Sequence, residues 1–198
     1  MNRKRPRDPF RKTGGTETWV AFLRAVNVGG HSKIRMEDLR RVFLSAGCKN
    51  VRTVIQSGNV LYDGSAADRQ TIHAGIRSEL GNRLGERAMV VFRDLGDMAV
   101  LSRRDPFKEF KYQQDAKFYV AFLSRKPHLF PPFPRIVSEE GLEMVGKRDL
   151  EVFVVSRRKK NRMFGFPNAL VEKEFGVAAT TRNWSTIQKI ASFAMKRG

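Results

Sequence analysis

The chain has 198 residues, 41% of them hydrophobic and 29% charged, with 38 Lys and Arg against 20 Asp and Glu for a formal net charge of +18. That length suits one sizeable domain or two small ones, and the composition excludes wholesale disorder. No apolar run approaches the roughly 18 residues of a membrane helix, and the lone cysteine, Cys48, excludes an internal disulfide and fits a reducing, cytoplasmic compartment.

The chain begins MNRKRPRDPFRK, where six of twelve residues are Lys or Arg against one Asp. No apolar segment follows these charges, so they do not form a secretory signal. Residues 1–15 read as a disordered basic arm. Without the first twelve residues the body keeps 32 basic and 19 acidic side chains, a net of +13, which attracts nucleic acid and other polyanions non-specifically. The plain alternative is a solvated basic surface.

Trp19 to Val26 carries the apolar run Val20-Ala21-Phe22-Leu23, the sign of a strand buried on both faces. A polar loop with Gly29 and Gly30 leads to a helix from Met36 to Ala46, with Leu39, Val42 and Phe43 inward and Gly47 as its stop. Val51 to Ile55 and Asn59 to Tyr62 read as strands joined through Gln56-Ser57-Gly58, Gly58 supplying a positive φ. Ser65 and Asp68 resemble a capping box ahead of a helix from about Ala67 to Leu84, lined by Ile72, Ile76 and Leu80. A strand from Ala88 to Phe92 follows, and Asp94 caps a short helix. The order βαββαβ with a trailing helix is the split-βαβ, ferredoxin-like arrangement, an α+β fold with helices on one face of an antiparallel sheet.

The polar segment Arg104 to Asp115 divides the chain into an N-terminal half, 16–104, and a C-terminal α+β half, 105–198. Lys117 to Leu123 reads as a strand. Arg125 to Arg135 holds four prolines and cannot continue a ladder. Leu142 to Val145 and Leu150 to Val155 form a hairpin across residues 146–149. The run Arg157-Arg158-Lys159-Lys160-Asn161-Arg162 is the most basic patch of the body. A helix with Pro167 near its start and Gly176 at its end, a strand from Ala178 to Thr181, and a last helix capped by Asn183 complete the chain.

Three stretches, LRAVNVGGHSKIRMEDLR, VRTVIQSGNVLYD and FGVAATTRNWSTIQKI, occur in this order. With them the chain resembles the bacterial family catalogued as domain of unknown function 1697, the likeness running from Trp19 to Phe193. The resemblance implies two ferredoxin-like α+β halves and no particular activity. Ala25 stands where the family often has Gly, and Lys159 to Gly165 replaces a Gly-Arg/Lys-Ser-Lys stretch.

Two sets of residues are candidates for binding. Arg24, Asn27, Gly29, Gly30 and Lys33 form a loop beside a helix N-terminus that suits a phosphate or carboxylate, although they match neither a Walker A loop nor G-x-G-x-x-G. Gln56, Ser57 and Asn59 add amide and hydroxyl groups, and Arg182 beside Asn183 and Trp184 can clamp an anion. The second set, Arg157, Arg158, Lys159, Lys160 and Arg162, suits a nucleic-acid backbone. The strand NVLYD lacks the RNP1 pattern, so base reading in the style of RNA-recognition domains is not expected. No metal-ligand spacing, cofactor motif or catalytic triad is present, and no catalytic residue is named. The expectation is therefore a protein that binds nucleic acid through its basic surface and motif loops. The alternative is an enzyme acting on a small phosphorylated or carboxylated substrate.

Overall fold

The computed structural model of the protein describes residues 15–24, 34–55, 58–85, 88–110, 115–161 and 163–195. Residues 1–14 of the basic arm, the loop 25–33 and Gln56, Ser57 and Arg162 lie outside the described residues. The fold is α+β, with two antiparallel sheets, and the chain divides into two compact units, 1–100 with 190–198, and 101–189.

The first unit runs β1 (Thr16–Arg24), α1 (Met36–Ser45), β2 (Lys49–Thr53), β3 (Asn59–Ser65), α2 (Arg69–Leu84) and β4 (Met89–Asp94). Its sheet order is β2-β3-β1-β4, the split-βαβ arrangement expected from the sequence. Alternation along the strands sends Ala21, Leu23, Val60, Tyr62, Val90 and Phe92 into one core with Leu39, Val42 and Phe43 of α1 and Ile72, Ile76 and Leu80 of α2. Each Val, Leu and Ile side chain among them contributes about 1.5–3 kcal/mol by leaving water. The opposite sheet face is apolar and buried too, through Val20, Phe22, Leu61 and Val91, which is why the strands read as continuous apolar runs.

Local signals act as expected in most places. Gly58 takes φ +72° in the β2–β3 connection. The Asp94 carboxylate accepts from the backbone N–H of Gly96 at 2.7 Å and of Asp97 at 3.2 Å, starting α3 (Leu95–Arg104). Ser65 Oγ accepts from Asp68 N at 3.3 Å, but this bond closes the turn before α2, which starts at Arg69 without a side-chain cap.

The second unit contains β5 (Ala116–Leu123), β6 (Arg135–Val137), β7 (Leu142–Arg148), β8 (Glu151–Arg157), α4 (Asn168–Phe175) and β9 (Ala179–Asn183), with α5 (Trp184–Met195) beginning in it. Its order is β6-β7-β8-β5-β9, and without β6 this repeats the order of the first sheet. The helix of the first crossover is missing. Pro127, Pro131, Pro132 and Pro134 forbid it, and the chain instead reaches the sheet edge and adds β6 after the last proline. The β7–β8 hairpin is longer than the sequence suggested. Arg148 pairs with Glu151, so Asp149 and Leu150 alone make the turn, Asp149 at φ +49°.

Candidate nucleic-acid interface

Register places Arg24 and Asn59 at one end of the first sheet and on one face, because Phe22 pairs with Asn59 and Arg24 lies two residues further along β1. Asn59 is nevertheless 1% exposed, and its Nδ2 donates to the Val54 carbonyl at 3.0 Å. Its side chain closes the connection between β2 and β3. Arg182 belongs to the second unit, on β9 opposite Val120. Its guanidinium turns inward, donating to Thr180 Oγ1 at 2.8 Å and to the Thr181 carbonyl at 2.9 Å, and burial lowers its pKa to about 10. Trp184 packs against Phe107 with ring centroids 5.4 Å apart. Of the expected anion loop, Asn27, Gly29, Gly30, Lys33, Gln56 and Ser57 lie outside the described residues.

The sheet of the first unit does not present rings as an RNA-recognition domain does. Phe22, on the face away from the helices, is fully buried. Tyr62 points to the helix face, where its hydroxyl meets His73 Nε2 at 2.8 Å. His73 stacks on Phe92 at 3.9 Å, and burial, then Arg77 and Arg69, push its pKa down to about 4. Cys48 is buried, its thiol raised to about 12, and so is inert at neutral pH. Among the described residues no group of His, Cys, Asp or Glu could hold a metal ion, and no helix is long and apolar enough to cross a membrane.

The basic run beyond β8 folds into a small hairpin. Arg158 bridges to Phe164, Lys159 N donates to the Met163 carbonyl at 2.8 Å, and Asn161 Oδ1 accepts from Met163 N at 3.1 Å across the tip. Ser156 Oγ fastens its base by donating to the Gly165 carbonyl at 2.9 Å. A β-carbon at Gly165 would collide with the Glu140 carbonyl oxygen, so glycine alone allows this close approach.

Ion pairs engage three of the four described cations in the run. Arg157 pairs with Glu143, Arg158 with Asp115 at 2.7 Å, and Lys159 with Glu140 at 3.3 Å. Lys160 is exposed and has no ion-pair partner among the described residues. Lys117, from the start of β5, places its ammonium 4.4 Å from the centre of the Phe164 ring, and the Arg158 guanidinium lies 5.0 Å from the same ring. Beside them Met163 is 64% and Phe166 61% exposed, Phe166 resting edge-on against Tyr119.

The sequence reading named only the cations of this run and none of these apolar residues. The run continues directly into Met163-Phe164-Gly165-Phe166, and aromatic residues interleaved with cations are the composition of a single-strand binding surface.

The comparisons agree with the architecture. The conserved bacterial protein SP0830 from Streptococcus pneumoniae shares the fold, with a TM-score of 0.62 over 90% of this chain and 99% of that one, at 16% identity. No curated protein matches the sequence. The family described as "Protein of unknown function (DUF1697)" matches residues 16–131, a span that holds the first two sequence motifs and ends before the third. That match covers more than half of the chain, and the protein belongs to this family.

Proposed function

We propose that the protein binds single-stranded nucleic acid, with the hairpin Arg157–Phe166 as its contact surface. The observation that carries this reading is the approach of Lys117 and Arg158 to the Phe164 ring, beside the uncovered side chains of Phe166 and Met163. Exposed aromatic faces stack on bases of any sequence, while neighbouring cations follow the phosphates. Three acids already neutralise part of the run, so the cations available to phosphate are Lys160 and Lys117 first. The reading takes the protein to be cytoplasmic, where nucleic acid is accessible and the thiol of Cys48 stays reduced.

Mobility-shift titrations of a short single-stranded oligonucleotide test the assignment. Phe166→Ala should weaken binding by about 1–3 kcal/mol, the range for one lost base–aromatic stack. Lys160→Glu should weaken it and flatten its salt dependence. Both side chains are exposed, so neither change threatens the fold. Unchanged affinity in both variants would remove the hairpin as the contact surface.

A further inference from the structure

Along α2, Arg69, His73 and Arg77 follow one another at four-residue spacing beside the buried stripe of Ile72, Ile76 and Leu80. Across from this row, Trp19 and Phe92 are diagonal neighbours on the helix face of the first sheet, because Phe92 pairs with Ala21. The Arg69 guanidinium lies over the Trp19 ring, 5.4 Å from its centre, and that of Arg77 over the Phe92 ring at 5.0 Å. His73 joins the two rings, edge-on to Trp19 at 5.0 Å and stacked on Phe92 at 3.9 Å. Burial holds it neutral at physiological pH, so it adds ring surface and no charge.

The row lacks a counter-charge. Both arginines are exposed, and neither forms an ion pair or a hydrogen bond with any described residue. Glu79, the one acid of α2, is taken by Arg83 at 2.7 Å. Asp94, opposite Trp19, accepts from the first amides of α3. Asp68, next in sequence to Arg69, and Glu17, two residues before Trp19 on the same face, pair with neither arginine. A ring attracts a guanidinium without consuming its N–H groups, so both forks remain for oxyanions. More positive charge enters at the start of the helix. The Gly15 carbonyl accepts from Ala66 N at 2.7 Å, three residues before Arg69. The first twelve residues, six of them Lys or Arg, thus join the body where the row begins.

We propose that this face of the first unit binds the phosphate backbone of a nucleic-acid duplex, with Arg69 and Arg77 each on a phosphate. Phe92 is 8% exposed and the Trp19 ring carries Arg69, so no ring is open for an unpaired base. In this the face differs from the hairpin, where Phe166 and Met163 are uncovered. A protein partner is disfavoured for the same reason, since its docking needs an apolar anchor in a pocket. A duplex keeps its bases stacked inside and presents about one phosphate charge per 1.7 Å of its axis. Arg69 and Arg77 stand about 12 Å apart along the helix, the length of about three to four nucleotides of one strand, so they meet different phosphates. The inference does not rest on the single-strand surface proposed above, which uses other residues in the other unit.

The test is fluorescence anisotropy of the full chain with blunt duplexes of different sequence over a salt series. The unaltered protein should bind them alike, with affinity falling steeply as salt rises. Arg69→Gln combined with Arg77→Gln should weaken every duplex and flatten the slope of log affinity against log salt by about 1.8, two phosphate contacts at about 0.9 each. Both side chains are exposed, and the first change removes a cation from the positive end of a helix, where it is disfavoured, so α2 is not put at risk. A control pair, Arg40→Gln with Arg52→Gln, removes the same charge from exposed positions on α1 and on β2, at the opposite edge of the sheet, and should leave the slope unchanged. Loss of residues 1–12 should weaken the duplex too, whereas Phe166→Ala should not. A duplex that fails to bind near physiological salt, or equal slopes in the row and control pairs, overturns the proposal whether or not single strands bind the hairpin.

Discussion

At Gly165 the backbone passes so near the Glu140 carbonyl oxygen that any β-carbon must displace one of them, and the same β-carbon would sit only 3.1 Å from Leu142 Cγ. Gly165→Ala is expected to destabilise the second unit by about 1–3 kcal/mol, the usual cost of overpacking, read as a lower urea midpoint. His73 carries a different consequence. Its folded pKa is pushed to about 4 by burial, with Arg77 and Arg69 adding to the effect, against 6.5 for the free side chain. Between these values the unfolded chain binds a proton that the folded chain refuses, so stability should fall as pH drops through that window and level off above it. In His73→Phe the loss between about pH 7 and about pH 5 should shrink. An equal pH slope in both proteins would show that other groups set it. Polar residues were the hardest to read from sequence. Asn59 and Arg182 look like ligand groups there, yet both spend donors on backbone carbonyls that only the folded register brings near.

At the scale of elements, the start of α3 hangs on one side chain. Asp94→Ala removes the acceptor for two helix N–H groups and should cost about 0.5–2 kcal/mol in chemical denaturation. The helices were readable because Leu39, Val42 and Phe43, or Ile72, Ile76 and Leu80, recur at helical spacing and end at glycines or charged turns. The β7–β8 turn was not. Residues 146–149 have the composition of a loop, but cross-strand pairing from Gly146 to Arg148 extends the ladder and leaves Asp149 to bear the positive φ. Likewise the prolines after β5 excluded a helix from sequence, whereas the edge strand β6 depends on β7 as its partner.

For the whole molecule, charge is the feature that sequence states and structure qualifies. The net of +18 gives long-range attraction to polyanions without saying where they dock. Ion pairs remove much of Arg157, Arg158 and Lys159 from that account, and cations near uncovered rings become the better candidates. The most direct test is fluorescence anisotropy of a short single-stranded oligonucleotide at two salt concentrations, with the full chain, a chain lacking residues 1–12, and Phe166→Ala. Binding that survives loss of the first twelve residues, weakens with salt and drops in Phe166→Ala is the expected result. Binding that disappears with those residues, or that ignores Phe166, would contradict the hairpin as the site where this protein meets nucleic acid.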